Sequence, residues 1–152
     1  MPAFETQQLG TILYDQEAVF EFPRGLPGFD HLRRFAAVHL PKTDPLVYLQ
    51  SLEDPAVCFL TAPVTAIFPD YRLEACAEDL ELVGLAAARQ PTLGRDALCL
   101  AVVSLRESGP SANLLAPVVV NLRNRQAVQA VSQRGDYSHR YALASEEAPV
   151  CS

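Results

Sequence analysis

The chain has 152 residues, 49% apolar and 20% charged, with a formal charge of −6 at neutral pH. That is enough for one domain around one core, and the absence of repeats or low-complexity tracts argues against a disordered, fibrous or solenoid protein. The acidity argues against holding nucleic acid through its phosphates, an affinity that comes largely from Lys and Arg displacing counterions, and it favours a basic or neutral protein partner.

At the start of the chain, "MPAFETQQLG" has neither the basic nor the apolar section of a secretory signal, and no stretch approaches the ~20 apolar residues of a membrane span. A cytoplasmic, non-membrane protein is therefore expected. Short strand-like runs then follow in order: "FETQQL", "TILYD", "VFEFP", "FAAVHL", "LVYLQSLE", "AVCFLTA", "YRLEAC", "LCLAVVSL", "LLAPVVVNL" and "QAVQAV". They predict a mostly β single domain, an antiparallel sheet closed into a small barrel or folded into a sandwich. One or two short helices are expected, a turn over residues 29–34 and a longer piece over residues 77–89, where Glu78 and Asp79 suit the positive end of a helix dipole.

Most of the twelve prolines punctuate these runs. Pro117 falls inside "SANLLAPVVVN", an apolar run with no catalytic group, and it has no N–H to give a ladder. The strand there should be an edge, or should begin or bulge near Pro117. Alternation places Val118 and Val120 on one face and Val119 and Asn121 on the other, with the Asn121 face expected to meet solvent or a partner.

No catalytic constellation emerges. His31, His39 and His139 stand far apart, and the cysteines form no Cys-x-x-Cys, so neither a nucleophilic site nor a zinc site is expected. Glu78, Asp79 and Glu81 lack the glycine and spacing of a calcium loop and read as a solvated helix start. "PRGLPGF", residues 23–29, is too short for a dinucleotide or phosphate loop and reads as a stiff turn, with Gly25 and Gly28 free to take positive φ. Arg123, Arg125, Arg134 and Arg140 with Tyr137 and Tyr141 imitate an RNA-stacking face, but Asp136, Glu146 and Glu147 dilute it. In "AIFPDYRLE", Ile67, Phe68 and Tyr71 surround a Pro69-Asp70 turn, either folded back as a plug or turned outward as partner anchors.

Taken together, "FEFPRGLPGF", "PLVYLQSLEDPAVCFLTAP", "FPDYRLE", "SANLLAPVVVN" and "DYSHRYAL" resemble, in order and spacing, the FliW family of flagellar assembly factors. The resemblance covers nearly the whole chain. It implies a FliW-like β domain over residues 1–145 with a flexible tail over residues 146–152. It also implies a non-enzymatic cytoplasmic regulator without cofactor or metal, acting as a monomer. Such a regulator binds the translational repressor CsrA, relieving repression of flagellin messenger RNA, and in exchange binds flagellin. A flagellin chaperone without a CsrA role, and a β-barrel that binds RNA directly, are the alternatives. By matching motif the resemblance carries partner-binding roles to Phe68, Asp70, Tyr71, Asn113, Leu114, Leu115, Ala116 and Pro117, and alternation adds Asn121. Leu114 and Leu115 cannot both face one side of a strand, so one of them should be core. The tail departs from the family pattern in "SHRYAL", and only Arg140 transfers there.

Overall fold

A computed structural model describes residues 2–133 and 135–143. Arg134, Glu146, Glu147 and the expected tail over residues 146–152 lie outside these. A small hairpin, β1 (Ala3–Glu5) and β2 (Thr11–Leu13), stands apart from one large antiparallel sheet. The sheet contains β3 (Val19–Glu21), β4 (Arg34–Val38), β5 (Val47–Ser51), β6 (Cys58–Pro63), β7 (Ala97–Arg106), β8 (Gly109–Asn121), β9 (Ala127–Gln129) and β10 (Tyr141–Ala142). Its order is β3-β4-β5-β6-β7-β8, after which β8 divides its outer edge, pairing with β10 through Ser111 and Ala112 and with β9 through residues 118–120. A bridge between Glu21 and Gln126 brings β3 round to the start of β9, and Glu21 N–H donates to the Arg125 carbonyl at 3.0 Å. The sheet is thus a nearly closed barrel.

Two apolar layers follow from the two-residue period of the strands. The barrel interior takes Phe20, Phe22, Phe35, Leu49, Leu100, Val118 and Val120, side chains drawn from all round the sheet, with Phe22 and Phe35 in edge-to-face contact at 5.3 Å. The outer face of β7 and β8 carries Cys99, Ala101 and Val119, and the chain between β6 and β7 covers it. That cover consists of α1 (Val64–Ile67), an extended stretch over residues 71–76, and α2 (Ala77–Leu82). Three consecutive valines are therefore all buried, because both faces of β8 are roofed.

Three local expectations are corrected. Residues 29–34 form no helix; Phe29 N–H donates to the Leu26 carbonyl at 2.7 Å in a tight turn, and β4 begins at Arg34. The turn needs Gly25, which sits at φ +65° with the position of any Cβ 2.5 Å from Asp30 Cα. Residues 77–89 are not one helix, since α2 ends at Leu82 and the chain turns through Gly84 at φ +82°. Residues 71–76 alternate as a strand should, with Tyr71, Leu73 and Ala75 buried and Arg72 and Glu74 exposed, yet they belong to no ladder. Other groups satisfy their backbone instead: the Gln90 amide clamps both the N–H and the carbonyl of Ala75, and Gln133 N–H donates to the Glu74 carbonyl.

Candidate partner-binding surface

Pro117 interrupts β8 as a bulge. Leu100 pairs with Val118 and Val102 with Asn113, so two steps along β7 match five along β8 and three extra residues are pushed out of the ladder. Such an extrusion strands backbone donors and acceptors, which are costly to bury unpaired. Here each has a partner. The Asn113 side-chain oxygen accepts from the N–H groups of Leu115 at 3.0 Å and Ala116 at 2.9 Å, closing an Asx turn. Leu114 N–H donates to the Ser138 carbonyl, and its own carbonyl accepts from the Tyr71 hydroxyl at 2.6 Å. Ser132 N–H, the Gln129 amide and Ala130 N–H donate to the carbonyls of Leu115, Ala116 and Pro117. Proline at 117 brings no N–H to the bulge that would need a partner.

Around the bulge lies an aromatic cluster. Tyr71 stacks on Tyr137 at 4.3 Å, and Phe68 meets the edges of Tyr137 at 5.7 Å and Tyr141 at 6.0 Å. The Tyr137 hydroxyl accepts from Arg72 N–H. Phe68 is placed by its N–H, which closes α1 on the Val64 carbonyl, and its carbonyl accepts from Tyr71 N–H across the Pro69-Asp70 turn. Burial, followed by the neighbouring Cys99 and Tyr137, pushes the Tyr71 phenol well above its usual range. It is therefore a neutral donor locking the bulge at any physiological pH.

The sequence-named residues divide accordingly. Phe68, Asn113, Leu115 and Ala116 are half-buried, and Asp70 is exposed with no hydrogen bond or ion pair among the described residues. These five form the accessible part. Tyr71, Leu114 and Pro117 are buried and support it from beneath, so of the two leucines Leu114 is the core one. The 66–74 stretch both plugs and presents: Tyr71 is turned in, and Phe68 reaches the surface. Asn121 is a correction. It is 2% exposed, donates to the Val83 carbonyl at 2.9 Å and accepts from Arg123 N–H, so it ties β8 to the end of α2 and faces no solvent. The alternation itself holds, but the Asn121 face is roofed by residues that lie far away in sequence.

From the 136–141 segment the motif match carried only Arg140, and the structure places Tyr137 on Tyr71, Tyr141 on Phe68 and the Ser138 carbonyl on the Leu114 N–H of the bulge. The segment's two tyrosines were the available signal. Elsewhere, Glu78 and Asp79 pair with Arg24, at 3.8 and 3.2 Å, and Cys76 Sγ caps α2, as a solvated helix start would. Burial raises the thiols of Cys58 and Cys99, which makes them poor nucleophiles. Among the described residues no three His, Cys, Asp or Glu side chains gather as a metal site, and no helix is long and apolar enough to cross a membrane.

The family model for "FliW protein" matches residues 3–143. The chain belongs to the FliW family. Flagellar assembly factor FliW of Thermotoga petrophila is 33% identical over 142 residues, covering 91% of each chain. The same-named factors of Syntrophomonas wolfei and Heliobacterium modesticaldum are each 30% identical, over 140 and 139 residues, covering 84% and 88% of their own lengths. A crystal structure of the flagellar assembly factor FliW superposes with a TM-score of 0.79 at 26% identity, covering 96% of this chain and 99% of that one. In this member of the FliW family the bulge and the aromatic cluster are tied together by the Tyr71–Leu114 hydrogen bond and the Tyr71–Tyr137 stack, joining three segments distant in sequence.

Proposed function

We propose that this FliW-family chain is a cytoplasmic, non-enzymatic flagellar assembly factor that binds the repressor CsrA and exchanges it for flagellin. The observation that carries the reading is convergence. Residues 68–71 and 113–117, which carry the family motif, meet at one bulge, and residues 137–141, of which only Arg140 follows the family pattern, pack beside them. Half-buried Phe68, Leu115 and Ala116 and the exposed Asp70 carboxylate supply the apolar and charged groups that a protein interface uses. The overall charge of −6 would speed encounter with a basic RNA-binding repressor. A direct RNA-stacking role is less well supported, because Tyr137 spends one ring face on buried Tyr71 and its hydroxyl on Arg72 N–H.

Calorimetric titration of the full chain with CsrA and with flagellin, separately and in competition, tests the proposal. Saturable binding of each, with flagellin displacing CsrA, is the expected result. Binding of flagellin alone would leave a chaperone, and simultaneous saturable binding of both would refute exchange.

A further inference from the structure

The far end of β8 carries a second feature, which the partner surface does not use. A concavity of about 370 Å³ opens between the turn after α2, the start of β7 and the end of β8. Gly84, Gln90, Asp96 and Asn121 contribute to its wall together with three arginines, Arg89, Arg95 and Arg123. The uncharged polar side chains are committed to the wall itself. The Gln90 amide clamps Ala75, and the Asn121 amide joins Val83 to Arg123 N–H. One Asp96 oxygen is likewise committed, accepting from Thr92 N–H at 2.9 Å.

The three guanidiniums are different. Each belongs to an exposed residue and makes no hydrogen bond or ion pair among the described residues, in a chain that has 18 acidic side chains to offer against 12 basic ones. Against the single carboxylate of Asp96, the lining carries a net charge of three minus one, or +2. Next to it Arg125, a non-glycine residue, is held at φ +60° by its N–H to the Asn121 carbonyl and by its carbonyl to Glu21 N–H, so the turn that presents Arg123 is fixed at a backbone cost.

We propose that this concavity binds a small multivalent phosphate-type oxyanion through Arg89, Arg95 and Arg123. Guanidinium forks match oxyanions bidentately. A lone carboxylate has two oxygens and is saturated by one fork, whereas a tetrahedral or condensed phosphate offers oxygens to two forks from the connection between α2 and β7, Arg89 and Arg95, and to a third from the turn after β8, Arg123. The volume lies in the range of small-ligand pockets. The site is separate from the Asn113–Pro117 bulge, so the proposal stands whether or not the partner reading does.

The test is a titration of the full, isotope-labelled chain with pyrophosphate at constant ionic strength, followed by backbone amide shifts. Saturating shifts confined to residues 84–96 and 121–125 are expected. Arg95→Gln and Arg123→Gln should each weaken binding at least about tenfold, the strength of a charged hydrogen bond, with an unchanged melting temperature. Arg106→Gln, an exposed arginine at the far hairpin, should leave binding unchanged. Non-saturating shifts, or equal weakening by Arg106→Gln, would overturn the site. Saturation by hexaglutamate but not by pyrophosphate would overturn the ligand class.

Discussion

Replacing Tyr71 by Phe isolates a single bond at the centre of the candidate surface. The ring, with its stacking on Tyr137, is retained, and the hydroxyl that donates 2.6 Å to the Leu114 carbonyl is lost. That carbonyl has no other donor among the described residues, so the variant leaves a buried acceptor unpaired, at a cost of about 1–3 kcal/mol. For a domain of this size the melting temperature should fall by roughly 2–12 °C. An alkaline signature distinguishes this loss from general damage. The folded phenol ionises above its ordinary value of 10.0, chiefly because it is buried. Its contribution is therefore complete below the unfolded value and is lost as the pH rises through the folded one. Above pH 10 the unfolded chain gives up the proton first, and stability falls by up to about 1.4 kcal/mol per pH unit for this group. The Phe variant lacks that term, so urea denaturation at pH 9, 10 and 11 should show the parent falling more steeply and the gap between the two narrowing. Parallel alkaline slopes with an unchanged melting temperature would refute the assignment of Tyr71 as the neutral lock on the bulge.

Asn113→Ala removes the acceptor for two bulge N–H groups and should cost about 1–2 kcal/mol in urea denaturation, with Asn113→Asp, which keeps the oxygen, losing less. Asp70→Asn should leave stability within about 0.5 kcal/mol while slowing CsrA association at low salt, measured by stopped-flow mixing. Asn121→Ala should lower the melting temperature through about 2–3 kcal/mol of lost buried hydrogen bonding, yet leave the affinity of the folded fraction for CsrA unchanged. Gly25→Ala forces a Cβ onto the Asp30 backbone at positive φ and should destabilise by more than about 2 kcal/mol, read from the denaturation midpoint.

The β content and the position of most strands along the chain were legible because period-two burial and turn residues are local signals, whereas their order in the sheet was not. The errors arise where the partner of a segment is remote. Residues 71–76 have the alternation of a strand, but a ladder needs a neighbour, and the backbone there is satisfied by Gln90, Gln133 and Tyr137 instead. The helix over residues 77–89 looked longer because its apolar spacing continues, while its end is set by Gly84 and by two asparagine amides from positions 121 and 124 that take the Val83 carbonyl. Asn121 read as outward for the same reason: alternation assigns a face correctly and says nothing about what covers it.

The bulge shows the complementary case, where one residue's chemistry carried the inference a long way. A proline inside an apolar run cannot complete a ladder, and that alone predicts an edge strand, a strand start or a bulge near Pro117, of which the structure has the bulge. What sequence could not supply was the size of the interruption or the identity of its donors, because Tyr71, Gln129, Ser132 and Ser138 are brought in by tertiary folding. A consequence follows for any attempt to map the interface by alanine substitution. Leu114 and Pro117 are as well placed in the motif as Leu115 and Ala116, yet they face the core, and truncating buried Leu114 would cost about 2–5 kcal/mol and abolish binding through unfolding. Only substitutions at Phe68, Asp70, Leu115 and Ala116, checked against an unchanged melting curve, report on contact with a partner. If those four leave CsrA and flagellin binding intact, the bulge is a structural device of the barrel and the interface lies elsewhere.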